Sequence, residues 1–139
     1  MMWVSQAVVA DRLRALTRAL DGAATPGKLL VYGAPNPGPG QAPGAARLLS
    51  TSVFSAASEA GLMGKRQALS LPSSALMQLT GEAAWARLVD GAGNFVADLD
   101  VGLPGSAAAL WIDNQRTPVD LMLYAGGAFD LSLAEQVEP

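Results

Sequence analysis

The chain has 139 residues, of which half are hydrophobic and 15% are charged, and its formal net charge is −3. This length suits one domain, and this composition excludes intrinsic disorder. The sequence contains no cysteine and no histidine, which excludes Cys/His zinc sites and nucleophiles activated by histidine. Because there is no concentrated basic region, nucleic acid is not an expected partner.

The first predicted element is a helix over residues 5–21. Four apolar residues recur at helical spacing and share one face: Val9, Leu13, Leu16 and Leu20. We expect Gly22 to end the helix in the left-handed conformation and Pro26 to prevent its continuation. Charged residues interrupt the apolar N-terminal stretch, and no segment approaches the roughly 20 apolar residues of a membrane span. We therefore expect no membrane partner. Trp3, just before the helix, is expected to be either a core residue or a contact to a neighbouring subunit.

After Gly27 the pattern changes to short apolar runs separated by turns, which predicts strands. The predicted strands cover residues 28–32, 47–54, 66–71, 82–90, 95–101, 110–113, 119–123 and 129–133. The prolines and glycines of residues 35–44 predict an exposed loop, and residues 55–64 read as a loop with one helical turn. The turn residues between Asp90 and Asn94 predict a hairpin. The polar residues 135–139 are expected to fray.

These elements predict a mainly β fold, an antiparallel β-sandwich or jelly roll with one N-terminal helix. We expect one domain over residues 1–139. It consists of a helical segment (1–26), a β-sandwich (27–134) and a tail (135–139).

The strongest candidate for chemistry is the pair Asp98 and Asp100, which alternate along one strand and share a face. Calcium binds carboxylate oxygens, but it needs six to eight converging ligands, so two solvated aspartates are the simpler interpretation. The serines have no histidine to activate them, and the proline-rich loop lacks the pattern of a phosphate loop. Lys65 and Arg66 read as a solvated turn. We therefore expect no catalytic, cofactor-binding or metal-binding residue, no cofactor and no enzymatic activity.

The order of elements resembles a known group of proteins. The residues that carry the resemblance are KLLVYG (28–33), ARLLST (46–51), GEAAWAR (81–87), DGAGN (90–94), DVG (100–102) and the two alternating runs around Gly126–Gly127. The chain resembles small jelly-roll virion proteins of tailed bacteriophages, most closely the capsid cement (decoration) proteins. This resemblance implies a structural protein on the outer capsid surface of the virion, made in the host bacterial cytoplasm. It also implies binding to the major capsid protein and self-association as a homodimer or higher oligomer.

Two other functions remain open at this point. Similar small β proteins serve as structural modules of phage tails or tail tips, and jelly rolls also include carbohydrate-binding modules. A sparsely charged chain with long Ala/Gly/Pro-rich loops exposes apolar area, which is typical of proteins that assemble. The candidate contact segments are residues 1–20 and 35–44.

Overall fold

The computed structural model describes residues 5–54, 59–63, 66–69, 75–76, 78–132 and 135–137. Trp3 and Lys65 lie outside these residues. The described residues include one helix, α1 (Gln6–Asp21). Ser5 caps its N-terminus, because the Ser5 Oγ accepts a hydrogen bond from the Val8 N–H. No helix in this described part of the chain is long and apolar enough to cross a membrane.

The buried face of α1 is close to the predicted one. Val9, Leu13, Thr17 and Leu20 are buried, and Leu16 is partly buried against the core. The predicted left-handed stop is wrong, because Gly22 has φ −74° and ψ −16°, which is right-handed helical geometry. The reason is that Pro26 already prevents helical continuation, so that no left-handed cap is required.

Twelve strands are described. They are β1 (Lys28–Tyr32), β2 (Leu48–Val53), β3 (Glu59–Met63), β4 (Arg66–Leu69), β5 (Ala75–Leu76), β6 (Gly81–Glu82), β7 (Trp85–Val89), β8 (Phe95–Gly102), β9 (Leu110–Asp113), β10 (Met122–Leu123), β11 (Ala128–Ser132) and β12 (Glu135–Val137). Strands β1 and β9 have the predicted bounds, and the hairpin of β7 and β8 forms as predicted. The mainly β fold with one N-terminal helix is confirmed.

The main sheet has seven strands in the order β2-β1-β7-β8-β9-β11-β5 and is curled. All of its strand pairs are antiparallel except β8 and β9, so the sheet is mixed. The short connection between β8 and β9 is held by the Asp100 carboxylate, which accepts a hydrogen bond from the Ala109 N–H at 2.8 Å. Gly102 makes room for it, because a Cβ there would lie 2.3 Å from the Ser106 hydroxyl.

Two smaller sheets complete the fold, β10-β6 and β12-β4-β3. They correct two predictions. Residues 59–63 form β3 rather than a loop, and residues 135–137 form β12 rather than a frayed tail, because both pair with β4. The predicted strand over residues 119–123 is only Met122–Leu123, since the preceding Asp120 takes part in a turn around Asn114.

The core lies on one face of the main sheet. Its buried residues include Leu29 and Val31 of β1, Ala86 and Leu88 of β7, and Leu20 of α1. Strand β7 is unusual because all five of its residues are buried. Neighbouring residues of a strand point to opposite faces. The side of β7 that faces away from the core must therefore be covered as well.

Candidate interaction site

The face of the sheet opposite the core carries an aromatic and charged cluster. In the strand register, Tyr32 of β1 lies opposite Trp85 of β7, and Arg87 of β7 lies opposite Asp98 of β8. Trp85 and Arg87 are two positions apart on β7, so both point away from the core residues Ala86 and Leu88. The sequence therefore places aromatic rings and a charge pair side by side on this outer face.

The rings and the guanidinium stack on one another. The Tyr32 and Trp85 ring centroids are 4.4 Å apart and nearly parallel, with an angle of 10° between the planes. The Arg87 guanidinium carbon lies 5.0 Å from the Trp85 ring centroid and 5.1 Å from that of Phe95. These distances are within the range of cation–π attraction, which strengthens when water is excluded. The stack is buried, with Trp85 fully buried and Tyr32 and Arg87 nearly so, and Phe95 at its edge is exposed.

Asp98 is the counter-ion of Arg87. Arg87 Nε donates to Asp98 Oδ1 at 2.7 Å, and Arg87 Nη2 donates to Asp98 Oδ2 at 3.0 Å. The two side chains are only 8% and 12% exposed. The hydrogen bonds to Asp98 raise the pKa of Arg87, although desolvation acts in the opposite direction. This bidentate pair fixes the guanidinium in the plane that the stack requires.

The predicted exposed loop lies across this cluster. We call residues 34–46 the Pro/Gly loop. Its two ends meet where the Gly33 N–H donates to the Arg47 carbonyl at 3.0 Å, and the Trp85 indole N–H donates to the Gly33 carbonyl at 3.0 Å. At the middle of the loop, the Gly40 N–H donates to Asp98 Oδ2 at 3.1 Å.

Glycine is favoured at this middle position by the backbone conformation. Gly40 has φ +71°, which side chains with a Cβ rarely adopt, and a Cβ there would lie 3.5 Å from the Phe95 ring. The loop is thus surface-exposed along most of its length, as predicted, but it is also anchored at its ends and at its tip. The Tyr32 and Phe95 rings, with the anchored loop beside them, cover the outer side of β7.

The candidate calcium pair is separated by these contacts. Asp98 is occupied by Arg87 and Gly40, whereas Asp100 accepts a hydrogen bond from Ala109. In the part of the chain that the structure describes, no three His, Cys, Asp or Glu side chains are placed to hold a metal ion. The two aspartates therefore have separate structural roles.

Sequence reasoning missed Arg87 and Trp85 as members of a site. A signal was present, because an arginine in the middle of an otherwise apolar strand needs a partner when it is buried. A regular register for the predicted hairpin places Ala97 opposite Arg87, and Asp98 takes that position only because of a β-bulge between Leu88 and Val89. No local sequence pattern indicates that the Pro/Gly loop donates a hydrogen bond to Asp98 through Gly40.

Sequence reasoning also missed a turn whose hydrogen bonds are made by the buried Asn114. Its amide accepts from the Arg116 N–H at 3.3 Å and donates to the Asp120 carboxylate and to the Met122 carbonyl. The turn places the Arg116 guanidinium 4.7 Å from the ring centroid of Tyr124, which is exposed. Arg and Tyr are enriched in protein interfaces.

Comparisons with models of known protein families, with curated protein sequences and with solved structures found no match.

Proposed function

We propose that this chain is a structural virion protein that binds the outside of a phage capsid and cements major capsid protein subunits together. The resemblance in the order of elements is the starting point. The observation that carries the proposal is the Pro/Gly loop, a 13-residue segment without any charge that is held on the outer face of the sheet. Such a loop offers a shaped, non-catalytic contact surface.

The exposed side chains also support assembly. Five large apolar side chains are exposed among the described residues: Val8, Val53, Leu79, Phe95 and Tyr124. Phe95 adjoins the Pro/Gly loop, and Tyr124 adjoins Arg116. Aromatic side chains and arginine are enriched in interfaces between proteins.

Many weak contacts are sufficient for this function. A small domain gains little affinity from one modest contact, but contacts to several subunits of a lattice act together, because each binding event raises the effective concentration for the next. A protein that binds only the assembled shell stabilises the shell by mass action. We therefore expect the shell to resist heat better when this protein is bound.

The carbohydrate-binding alternative is weakened by the burial of the stacked pair Tyr32 and Trp85. Sugar sites use exposed aromatic faces, whereas Trp85 is fully buried and Tyr32 is 8% exposed. Their faces are used in stacking on each other and on Arg87.

The test is virion fractionation followed by mass spectrometry of tail-free capsids and of tails. Hundreds of copies on tail-free capsids would support the proposal. A few copies per particle, all in the tail fraction, would instead support the tail module. Absence from both fractions would contradict both the capsid function and the tail function.

A further inference from the structure

The outer face of the β9–β11 strand pair carries a tryptophan and two aspartates. Leu110 and Ile112 of β9 are fully buried in the core. The residues that alternate with them, Trp111 and Asp113, therefore point to the outer face. Asp130 of β11 lies directly opposite Asp113 in the strand register. All three side chains are partly buried, and we call them together the Trp111 site.

The tryptophan ring of this site is held in a fixed orientation. Its indole N–H donates to the Ser106 carbonyl at 3.1 Å. Ser106 belongs to the connection between β8 and β9 and adjoins Gly102, which is the register partner of Trp111. Among the described residues, no other ring or cation stacks on Trp111. A fixed, partly exposed indole ring attracts a cation placed over its face.

Each of the two aspartates is bound through one oxygen. The Gln115 N–H donates to Asp113 Oδ1 at 2.8 Å, and Gln115 Nε2 donates to Asp130 Oδ2 at 3.0 Å. In the part of the chain that the structure describes, no hydrogen bond or ion pair reaches the other oxygen of either carboxylate. Like charges directly opposite each other destabilise a sheet, so this pair does not serve the stability of the fold. A cation between the carboxylates turns the repulsion into attraction.

The β7–β8 pair on the same outer face shows which cation such groups bind. There the Arg87 guanidinium is held by the Asp98 carboxylate and lies 5.0 Å from the Trp85 ring centroid. Trp85 and Arg87 are two positions apart on their strand, as are Trp111 and Asp113 on theirs. On β9 an aspartate thus takes the place of the arginine. The β9–β11 pair supplies a ring and carboxylates, whereas no described basic residue of this chain pairs with them.

We propose that the Trp111 site binds an arginine side chain of a partner protein. The guanidinium stacks on the indole ring and donates to the two carboxylates. Arginine suits the site better than lysine, because its planar group carries several N–H donors that fit carboxylates and it also stacks on aromatic rings. The Trp111 site is a different surface from the Pro/Gly loop, and its binding chemistry can be tested without a capsid.

The test is an NMR titration of the ¹⁵N-labelled full chain with N-acetyl-arginine amide. The signal followed is that of the Trp111 indole N–H, together with the backbone amides of β9 and β11. The ligand control is N-acetyl-citrulline amide, which has nearly the shape of the arginine probe but no charge. This control needs no change in the protein, so it decides the question even where a variant fails to fold.

A pair of variants adds a control on the protein side. Asp113→Asn with Asp130→Asn removes both charges of the site but keeps the size of the side chains and an oxygen that accepts from Gln115. Asp11→Asn with Asp21→Asn removes the same charge from the exposed side of α1. The NMR spectrum of each variant shows whether the fold is kept.

We expect saturable shifts of the Trp111 indole N–H with a dissociation constant of about 1–10 mM for the arginine probe, as for a single small contact. The citrulline probe, and the arginine probe on the site variant, should each bind about tenfold more weakly, because charge-assisted hydrogen bonds are lost. The α1 variant should bind as the unchanged protein does.

Three results would overturn the proposal. They are the absence of a saturable shift at Trp111, equal binding of the citrulline probe, and an equal loss of affinity in the α1 variant. Equal binding of citrulline would indicate a site for uncharged ligands such as sugars, and an equal loss in the α1 variant would indicate general electrostatic attraction. The virion fractionation is independent of all three, so the two proposals can fail separately.

Discussion

At the scale of single residues, the Arg87–Asp98 pair shows how a charge is kept inside an apolar sheet. The guanidinium is bound by two carboxylate oxygens and packed between two aromatic rings, so its lost hydration is replaced on several sides. Desolvation makes such a pair a weak source of net stability while it is intact. The loss of one member is costly, because the other charge stays buried.

The first prediction concerns this pair. Asp98→Ala should lower the free energy of unfolding by about 3–5 kcal/mol, because Arg87 then stays buried without its counter-ion. Urea unfolding of the variant and of the unchanged protein measures the difference. The control is the double variant Arg87→Met with Asp98→Leu, which should recover most of the loss. A loss below about 1 kcal/mol in the single variant would mean that the pair behaves like a surface ion pair.

Asp90 lies on an exposed turn, where hydrogen bonds stabilise its charged carboxylate. Its Oδ1 accepts hydrogen bonds from the backbone N–H of Asn94 at 2.9 Å and of Ala92 at 3.0 Å. The hydrogen bonds from Asn94, first from its backbone and then from its side chain, lower the pKa of Asp90 below its ordinary value. Because these bonds favour the charged form, the turn depends on the ionised carboxylate.

The second prediction follows from the direction of this pKa shift. A folded-state pKa below the unfolded value of about 3.9 stabilises the protein above that pH, and the contribution is lost as pH falls through the folded-state pKa. The difference in unfolding free energy between the unchanged protein and Asp90→Asn should therefore shrink as pH falls from neutral through the folded-state pKa of Asp90. Urea unfolding at several pH values measures it. Asn94→Ala removes only the side-chain hydrogen bond and should move the pKa of Asp90 part of the way back in an NMR titration. An unmoved pKa would contradict the contribution of the Asn94 side chain.

At the scale of elements, the turn of the β7–β8 hairpin is in contact with the segment that follows α1. The Thr25 hydroxyl donates to the Gly91 carbonyl at 3.0 Å, and a Cβ at Gly91 would lie 1.9 Å from the Thr25 carbonyl oxygen. Gly91 thus allows two distant segments to touch. This contact connects the end of the helical segment to the hairpin turn.

The third prediction tests this approach. Gly91→Ala should destabilise the fold by about 1–3 kcal/mol, because the backbone must shift to relieve the overlap. Thermal unfolding measures the effect. Ala92→Ser, in the same exposed turn, is the control and should change stability by less than about 0.5 kcal/mol. An equal effect of both substitutions would show that the turn, and not the contact with Thr25, is responsible.

Elements specified by nearby residues could be predicted from the sequence, whereas those that depend on distant partners could not. The helix, β1 and the β7–β8 hairpin follow from periodicity and turn residues that lie within a few positions. Strands β3 and β12 form because both pair with β4, and no local pattern announces this. The candidate site divides in the same way: Arg87 and Asp98 are visible in the sequence, but their pairing depends on register and the position of Gly40 on tertiary structure.

At the scale of the whole molecule, the curled sheet is covered on both faces at β7. The core and α1 cover one face, and the Tyr32 and Phe95 rings with the Pro/Gly loop cover the outer side of β7. The loop is therefore part of the packed structure as well as a candidate contact surface. Its removal should affect stability and not only binding.

The fourth prediction is that replacing residues 35–44 by a short turn leaves the fold intact but lowers its stability by about 1–3 kcal/mol, the range for exposing one large side chain. The reason is that Asp98 loses the hydrogen bond from Gly40 and the Phe95 ring loses its contact with the loop. Circular dichroism checks the fold, and urea unfolding measures the loss. Phe95→Ala, which keeps the loop but removes the contact at its tip, should cost less. A replacement without any loss would show that the loop does not stabilise the sheet.

The position of β1 between β2 and β7 has a consequence for the synthesis of the chain. Strand β2, one partner of β1, follows it closely in the sequence, whereas its other partner, β7, begins more than fifty residues after β1 ends. At ordinary translation rates the second edge of β1 waits about 3–10 s for that partner. An apolar strand with an open edge is a site of aggregation. A nascent chain that stops before residue 85 should therefore aggregate. The complete chain is rich in contacts between distant residues, so it should refold over milliseconds to seconds in stopped-flow fluorescence.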